Sequence, residues 1–239
     1  MKKTSLLVFS ALVLFLLSFN TTAFGITVRT GITAEEVLKG IQNRYEKVND
    51  VETNFIQEYI GKGMKQTTRG EGKVYFKKKG MMRWDYTTPH QKLISNGQTF
   101  WFYQPDEKQV LVSSLSSVLK ERTPLAFLAG EGDLSRDFNL LHLKESTSQK
   151  EENYIIELAP KEPLATFSKL VLRVDKKSFT VLQADVFDGM GNVTRTRFIN
   201  IKTNVGLSDS LFQFIIPAGT EEIPMMGSSA PARGEKGSK

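Results

Sequence analysis

The chain has 239 residues, 40% of them hydrophobic and 24% charged, which permits one large β domain or two small ones and excludes wholesale disorder. There is no Cys, so disulfides, thiolate metal sites, a Cys nucleophile and a lipidated N-terminal Cys are excluded. Two histidines, His90 and His142, rule out a site of several imidazoles, and no metal or cofactor is expected.

The N-terminus carries the three-part pattern of a secretory signal peptide. Lys2 and Lys3 form a basic start, and 6–17 is an apolar run broken only by Ser10. Small residues then stand at cleavage spacing, either Thr21/Ala23 or Ala23/Gly25. The run is short of the roughly 20 residues a membrane span needs. Residues 1–25 are therefore read as a signal peptide, and the mature chain as a soluble protein in the periplasm beginning at Phe24 or Ile26. Without Lys2 and Lys3, 30 basic residues face 26 acidic ones, a net charge of +4. Export makes nucleic acid an unsuitable partner for so mild an excess.

The spacing predicts an amphipathic helix over 33–50. Thr33 and Glu36 form a capping box, and Ile32 and Val37 stand at staple positions. Val37, Leu38, Ile41, Tyr45 and Val48 share one face. From 51 the period becomes two. Strands are predicted at 51–60, 66–77, 81–86, 91–95, 98–103 and 109–112. Gly70 and Gly72 share a strand face, which signals a sharp bend or close approach of another backbone. Asn96-Gly97 is a strong hairpin turn, because both positions tolerate positive φ.

A short helix is expected at 113–120. A second begins at Thr123-Pro124 and ends before Gly130, with an apolar body of Leu125, Ala126, Phe127, Leu128 and Ala129. A helix apolar on every side is buried or faces a ligand cavity. Strands resume at 138–144, 154–159, 167–175, 179–187, 193–202 and 211–216. About a dozen short strands joined by turns imply an antiparallel sandwich or barrel. The composition of 218–239 reads as a disordered tail, which leaves 26–217 as one domain.

Catalytic chemistry is nearly absent. No Gly-rich phosphate loop precedes a helix, and the two histidines lie too far apart for a zinc-protease motif. Ser117-Val118-Leu119-Lys120 matches a Ser-x-x-Lys pattern, but its companion motifs are missing. No catalytic residue is assigned and the chain is read as a non-enzyme.

The region 70–110 carries the most information. It holds Gly70-Glu71-Gly72, then Arg83-Trp84-Asp85-Tyr86, Pro89, Ser95-Asn96-Gly97 and Trp101-Phe102-Tyr103. Further on come Thr123-Pro124-Leu125, Phe187-Asp188, Gly191-Asn192, and Leu211-Phe212 with Phe214, Pro217 and Gly219. In this order the motifs resemble those of the periplasmic outer-membrane lipoprotein carriers, the LolA family. The resemblance implies an α+β, mostly β fold: an unclosed antiparallel β-barrel with a lid of short helices over an apolar cavity. It implies a carrier that takes lipidated lipoproteins from an inner-membrane ABC releasing complex, shields their acyl chains, and passes them to an outer-membrane receptor lipoprotein. A monomer is expected. Met82, Trp84, Tyr86, Leu93, Phe102, Phe127, Leu128 and Phe187 are the cargo-binding candidates. The family has Arg-Pro in the turn before the Trp strand, where the Arg holds the lid closed. Here Lys78 and Lys79 occupy that turn, and Lys78 is the latch candidate. A same-fold module for another amphiphile, a glycolipid or an envelope-stress signal, is the alternative; a periplasmic hydrolase is a third.

Overall fold

The computed structural model describes residues 31–63, 66–120, 132–147, 152–162 and 167–225. The first helix, α1, spans Ala34–Lys47. The Glu36 amide donates to Thr33 Oγ1, and the Thr33 amide donates to the Glu36 carboxylate at 2.7 Å. Two amides that helix geometry leaves orphaned are thereby satisfied. Val37, Leu38, Ile41 and Tyr45 form its buried stripe. Gly40 lets the helix seat on Phe179, since a Cβ there would lie 2.5 Å from that ring. The helix stops short of 50 because Asp50 already belongs to the sheet. Its carboxylate accepts from the amides of Val205, Gly206 and Leu207.

The strands are β1 Asp50–Ile60, β2 Thr67–Lys77, β3 Met81–Thr88, β4 Gln91–Asn96, β5 Thr99–Gln104 and β6 Gln109–Ser114. Helices α2, Leu115–Lys120, and α3, Leu134–Asp137, precede β7 Phe138–Thr147, β8 Glu152–Pro160, β9 Lys169–Asp175, β10 Val181–Phe187, β11 Val193–Thr203 and β12 Glu221–Pro224. They form one sheet in the order β12-β6-β5-β4-β3-β2-β1-β11-β10-β9-β8-β7. Every pair is antiparallel except β12 with β6. The end strands β12 and β7 do not pair with each other, so the sheet is unclosed.

Laid flat, twelve strands at about 4.8 Å spacing would separate the two ends by about 50 Å. Instead Phe100 of β5 and Leu158 of β8 share one buried cluster with α1. The sheet therefore curls, and its inner face holds the core. The unclosed, mostly β architecture expected from the sequence is the one observed.

Two segments differ from expectation. Residues 211–216 do not form a strand: a 3-10 turn spans Asp209–Phe212 and the chain then runs extended without a ladder. Phe212 is fully buried, and Phe214 packs on Trp101 and Tyr103 at 6.0 and 5.3 Å between ring centroids. The alternation that reads as a strand serves to lay apolar rings across the outer face of the sheet. There Met81, Ile94, Val110 and Val112 make a second, smaller apolar layer with Phe212. The second difference is β12, at a place read as disordered tail. Its Glu221 amide donates to the Lys108 carbonyl, and the Met225 amide to that of Val112. Pro224 is tolerated because β12 is an edge strand.

Candidate functional site

Strand alternation sorts the candidate residues by face. Cross-strand register sets Met82 opposite Ser95, Trp84 opposite Leu93, Leu93 opposite Phe102, and Ser95 opposite Phe100. Met82, Trp84, Tyr86, Leu93 and Phe102 thus share the inner face and pack into the main core cluster. Met81, Arg83 and Asp85 take the opposite face. Arg83 there bonds the Asp85 carboxylate at 2.9 Å and the Leu211 carbonyl at 2.9 Å, and Lys92 bonds Asp85 at 3.0 Å.

Trp84 is the centre of a five-ring cluster. Its centroid lies 4.8 Å from Phe55, 5.7 Å from Phe76, 6.3 Å from Tyr86 and 6.5 Å from Phe198. Phe55 and Tyr86 meet edge to face at 4.7 Å. Phe55, Phe76, Phe100 and Phe198 are not among the cargo-binding candidates drawn from sequence. Phe55 is within reach of that reasoning, since it alternates with Val51 and Thr53 and pairs with the bare Gly72.

The Gly-x-Gly strand explains how these rings fit. A Cβ on Gly72 would overlap the Asp85 carbonyl, where the β2–β3 register shifts between Glu71 and Gly72. A Cβ on Gly70 would press on the Tyr86 ring at 3.3 Å. Without those side chains Tyr86 reaches over β2 to β1. Its hydroxyl donates to Gln57 Oε1 at 2.9 Å, and Gln57 Nε2 donates to Thr196 Oγ1 at 3.1 Å. Burial pushes the Tyr86 phenol up to about 12, opposed by its bond to Gln57. The close approach expected at the two glycines is present, and it creates a hydrogen-bonded row beside the aromatic floor.

Phe187 is not part of this assembly. A bulge between Val181 and Gln183 swaps the parity of β10, so Ala184 and Val186 follow Val181 inward. Phe187 falls on the outer face, with Lys169 Nζ 4.3 Å from its ring centroid. It therefore sits apart from Met82, Trp84, Tyr86, Leu93 and Phe102, the candidates on the inner face. Phe127 and Leu128 lie outside the described residues.

Lys78 sits in the β2–β3 turn. Its Nζ donates to the Glu46 carbonyl at 2.7 Å and its amide to the Asn49 carbonyl at 3.0 Å. The contact it makes is with the last turn of α1, where a cation complements the helix dipole. Tyr45 fastens the same helix to the sheet: its oxygen accepts from the Val181 amide at 3.1 Å, and burial raises its phenol to about 12.

A depression of about 490 Å³ opens on the outer side, bordered by Ile56, Glu71, Lys73, Tyr75, Asp85 and Ile199. Its charged border is a poor setting for hydrocarbon, so the inner face is the candidate site. Among the described residues no group of three or more His, Asp or Glu side chains could hold a metal ion, and no helix is long and apolar enough to cross a membrane.

Comparison with known proteins agrees with this geometry. The family model described as "Outer membrane lipoprotein carrier protein LolA" matches residues 46–215. The outer-membrane lipoprotein carrier protein of Nitrosomonas europaea is 33% identical over 188 residues, covering 78% of this chain and 88% of that one. The protein of the same name from Methylococcus capsulatus is 29% identical over 177 residues, covering 74% and 82%. Among solved structures, an uncharacterized conserved protein from Thermus thermophilus shares the fold, with a TM-score of 0.53 at 12% identity, over 80% of this chain and 99% of that one. With most of its length matched by the family model and a relative at one-third identity, the chain belongs to the outer-membrane lipoprotein carrier family.

Proposed function

We propose that this protein is a periplasmic carrier that holds the acyl chains of lipidated proteins against its inner aromatic face and moves them from the inner to the outer membrane. The five-ring cluster centred on Trp84, with Met82, Leu93 and Phe102 beside it, carries this reading. Exposing an acyl chain of about 14 carbons to water costs about 10 kcal/mol, at about 0.8 kcal/mol per methylene. A lipoprotein cannot cross an aqueous space unshielded against that cost. Met repacks around chains of different shape, which suits a surface that must also let go.

In this reading residues 1–25 direct export and are removed. Lys78 steadies the closed form through α1. An inner-membrane ABC releasing complex supplies the cargo and an outer-membrane receptor lipoprotein accepts it. The activity is carriage, without turnover of a substrate.

The test is to express the full chain with a triacylated lipoprotein, purify it from the periplasmic fraction, and identify the bound material by mass spectrometry. The expected result is a mature chain starting at Phe24 or Ile26 with lipoprotein bound. Copurification of a glycolipid with no lipoprotein would move the assignment to the other amphiphile-binding function. Recovery of Met1 in the membrane fraction would overturn export.

A further inference from the structure

The hydrogen-bonded row Tyr86–Gln57–Thr196 is not needed to bury hydrocarbon. It lies on the same inner face as Phe55, Trp84 and Phe198. Gln57 follows Phe55 on β1, and Thr196 precedes Phe198 on β11, each two residues along its strand. Tyr86 follows Trp84 in the same way on β3. The row therefore borders the aromatic floor along one side, and two bare glycines on β2 are what let Tyr86 complete it.

The row is incompletely satisfied. Thr196 is only 2% exposed, and its oxygen accepts from Gln57. Among the described residues its hydroxyl hydrogen has no acceptor. The Gln57 amide makes one bond through Nε2, which leaves its second hydrogen unspent. The Tyr86 oxygen donates to Gln57 and keeps its lone pairs. Buried hydroxyls are almost always paired, and an unpaired donor beside an apolar floor awaits an acceptor.

We propose that Gln57, Thr196 and Tyr86 form a polar subsite that hydrogen-bonds the ester or amide carbonyl at the head of an acyl chain lying on the aromatic floor. The inference rests on the carrier reading and adds a selectivity to it. Two donors, from Gln57 and Thr196, meet carbonyl oxygens, and the Tyr86 oxygen accepts an acyl amide N–H. A floor of rings and Met alone would hold any hydrocarbon equally. The row gives preference to acyl chains joined through a carbonyl, as in N-acylated and glyceryl-esterified cysteine.

The test compares two ligands on three proteins. A synthetic triacylated cysteinyl lipopeptide carries the carbonyls, and a hexadecane chain tagged with pyrene carries none. The parent, Thr196→Val and Gln57→Leu are titrated with each, and circular dichroism melting checks folding. Thr196→Val keeps shape and removes only the hydroxyl, so it remains informative if Gln57→Leu fails to fold. The expected result is about tenfold weaker lipopeptide binding in each folded variant, the value of one lost hydrogen bond. Binding of the pyrene chain should be unchanged. Equal loss for both ligands, or no loss for the lipopeptide, overturns the subsite. A parent that binds neither ligand overturns the carrier reading itself, and the subsite with it.

Discussion

Gly72 has no space for a side chain, because its Cβ would overlap the Asp85 carbonyl on the neighbouring strand. That contact is backbone, so the strand itself must shift to relieve it. Gly72→Ala should cost about 2 kcal/mol or more, read as a lower urea midpoint at unchanged slope. Loss of the Tyr86–Gln57 bond should accompany it. Trp84 offers a different prediction. It is 8% exposed and touches four rings, so it belongs to the core as well as to the proposed site. Trp84→Ala should cost about 3–5 kcal/mol and also weaken lipopeptide binding. A lower melting temperature with affinity intact would make Trp84 a core residue alone. The inward set on β3 was legible from alternation, since three bulky residues in a row of six leave little choice of face. Phe187 was not, because the β10 bulge that flips its parity leaves no trace in the pattern Val181, Gln183, Asp185.

At the scale of elements, α1 is held at both ends. The capping box closes its start, and Lys78 meets the Glu46 carbonyl at its finish. Lys78→Leu should lower stability by about 0.5–1 kcal/mol, while Lys78→Arg should match the parent, since either cation serves the helix end. Equal stability of all three in urea melts would make Lys78 a solvated turn residue. The β10–β11 hairpin predicts a dependence on acid. The Asp188 carboxylate accepts from the amides of Met190 and Asn192 and from the Asn192 side chain. The Asn192 side-chain bond, more than the backbone bonds, holds the Asp188 carboxyl below its ordinary value. A depressed pKa means that this support is complete above the unfolded value of about 3.9 and is lost as pH falls through the folded one. The protection factors of the Met190 and Asn192 amides, taken against the unstructured exchange rate at each pH, should therefore fall at low pH, and in Asp188→Asn should already be low near neutrality. Exchange that ignores both changes would contradict the role given to Asp188. Most elements were legible because turn residues and alternation agree. The exceptions are instructive: Phe212 and Phe214 alternate like a strand but pack onto the outer face of the sheet, and Glu221-Glu222-Ile223-Pro224 resembles a tail yet finds a free edge on β6.

At the largest scale the described residues form a curled, unclosed sheet with two apolar faces of different kinds. The outer layer is closed off by the chain's own C-terminal segment: Phe212 is buried and Phe214 lies against Trp101 and Tyr103. The inner face gathers the aromatic floor, a helix fastened at its ends, and a polar row with donors to spare. The central claim is that acyl chains lie on the inner face. A triacylated lipopeptide with a diazirine midway along one acyl chain tests it directly, by irradiation with the parent protein and location of the adducts residue by residue through fragmentation mass spectrometry. The account predicts adducts that alternate along β3, at Met82, Trp84 and Tyr86 but not at Arg83 or Asp85, with further adducts at Leu93 and Phe102. Adducts confined to Trp101, Tyr103 and Phe214, or spread without alternation along β3, would contradict it.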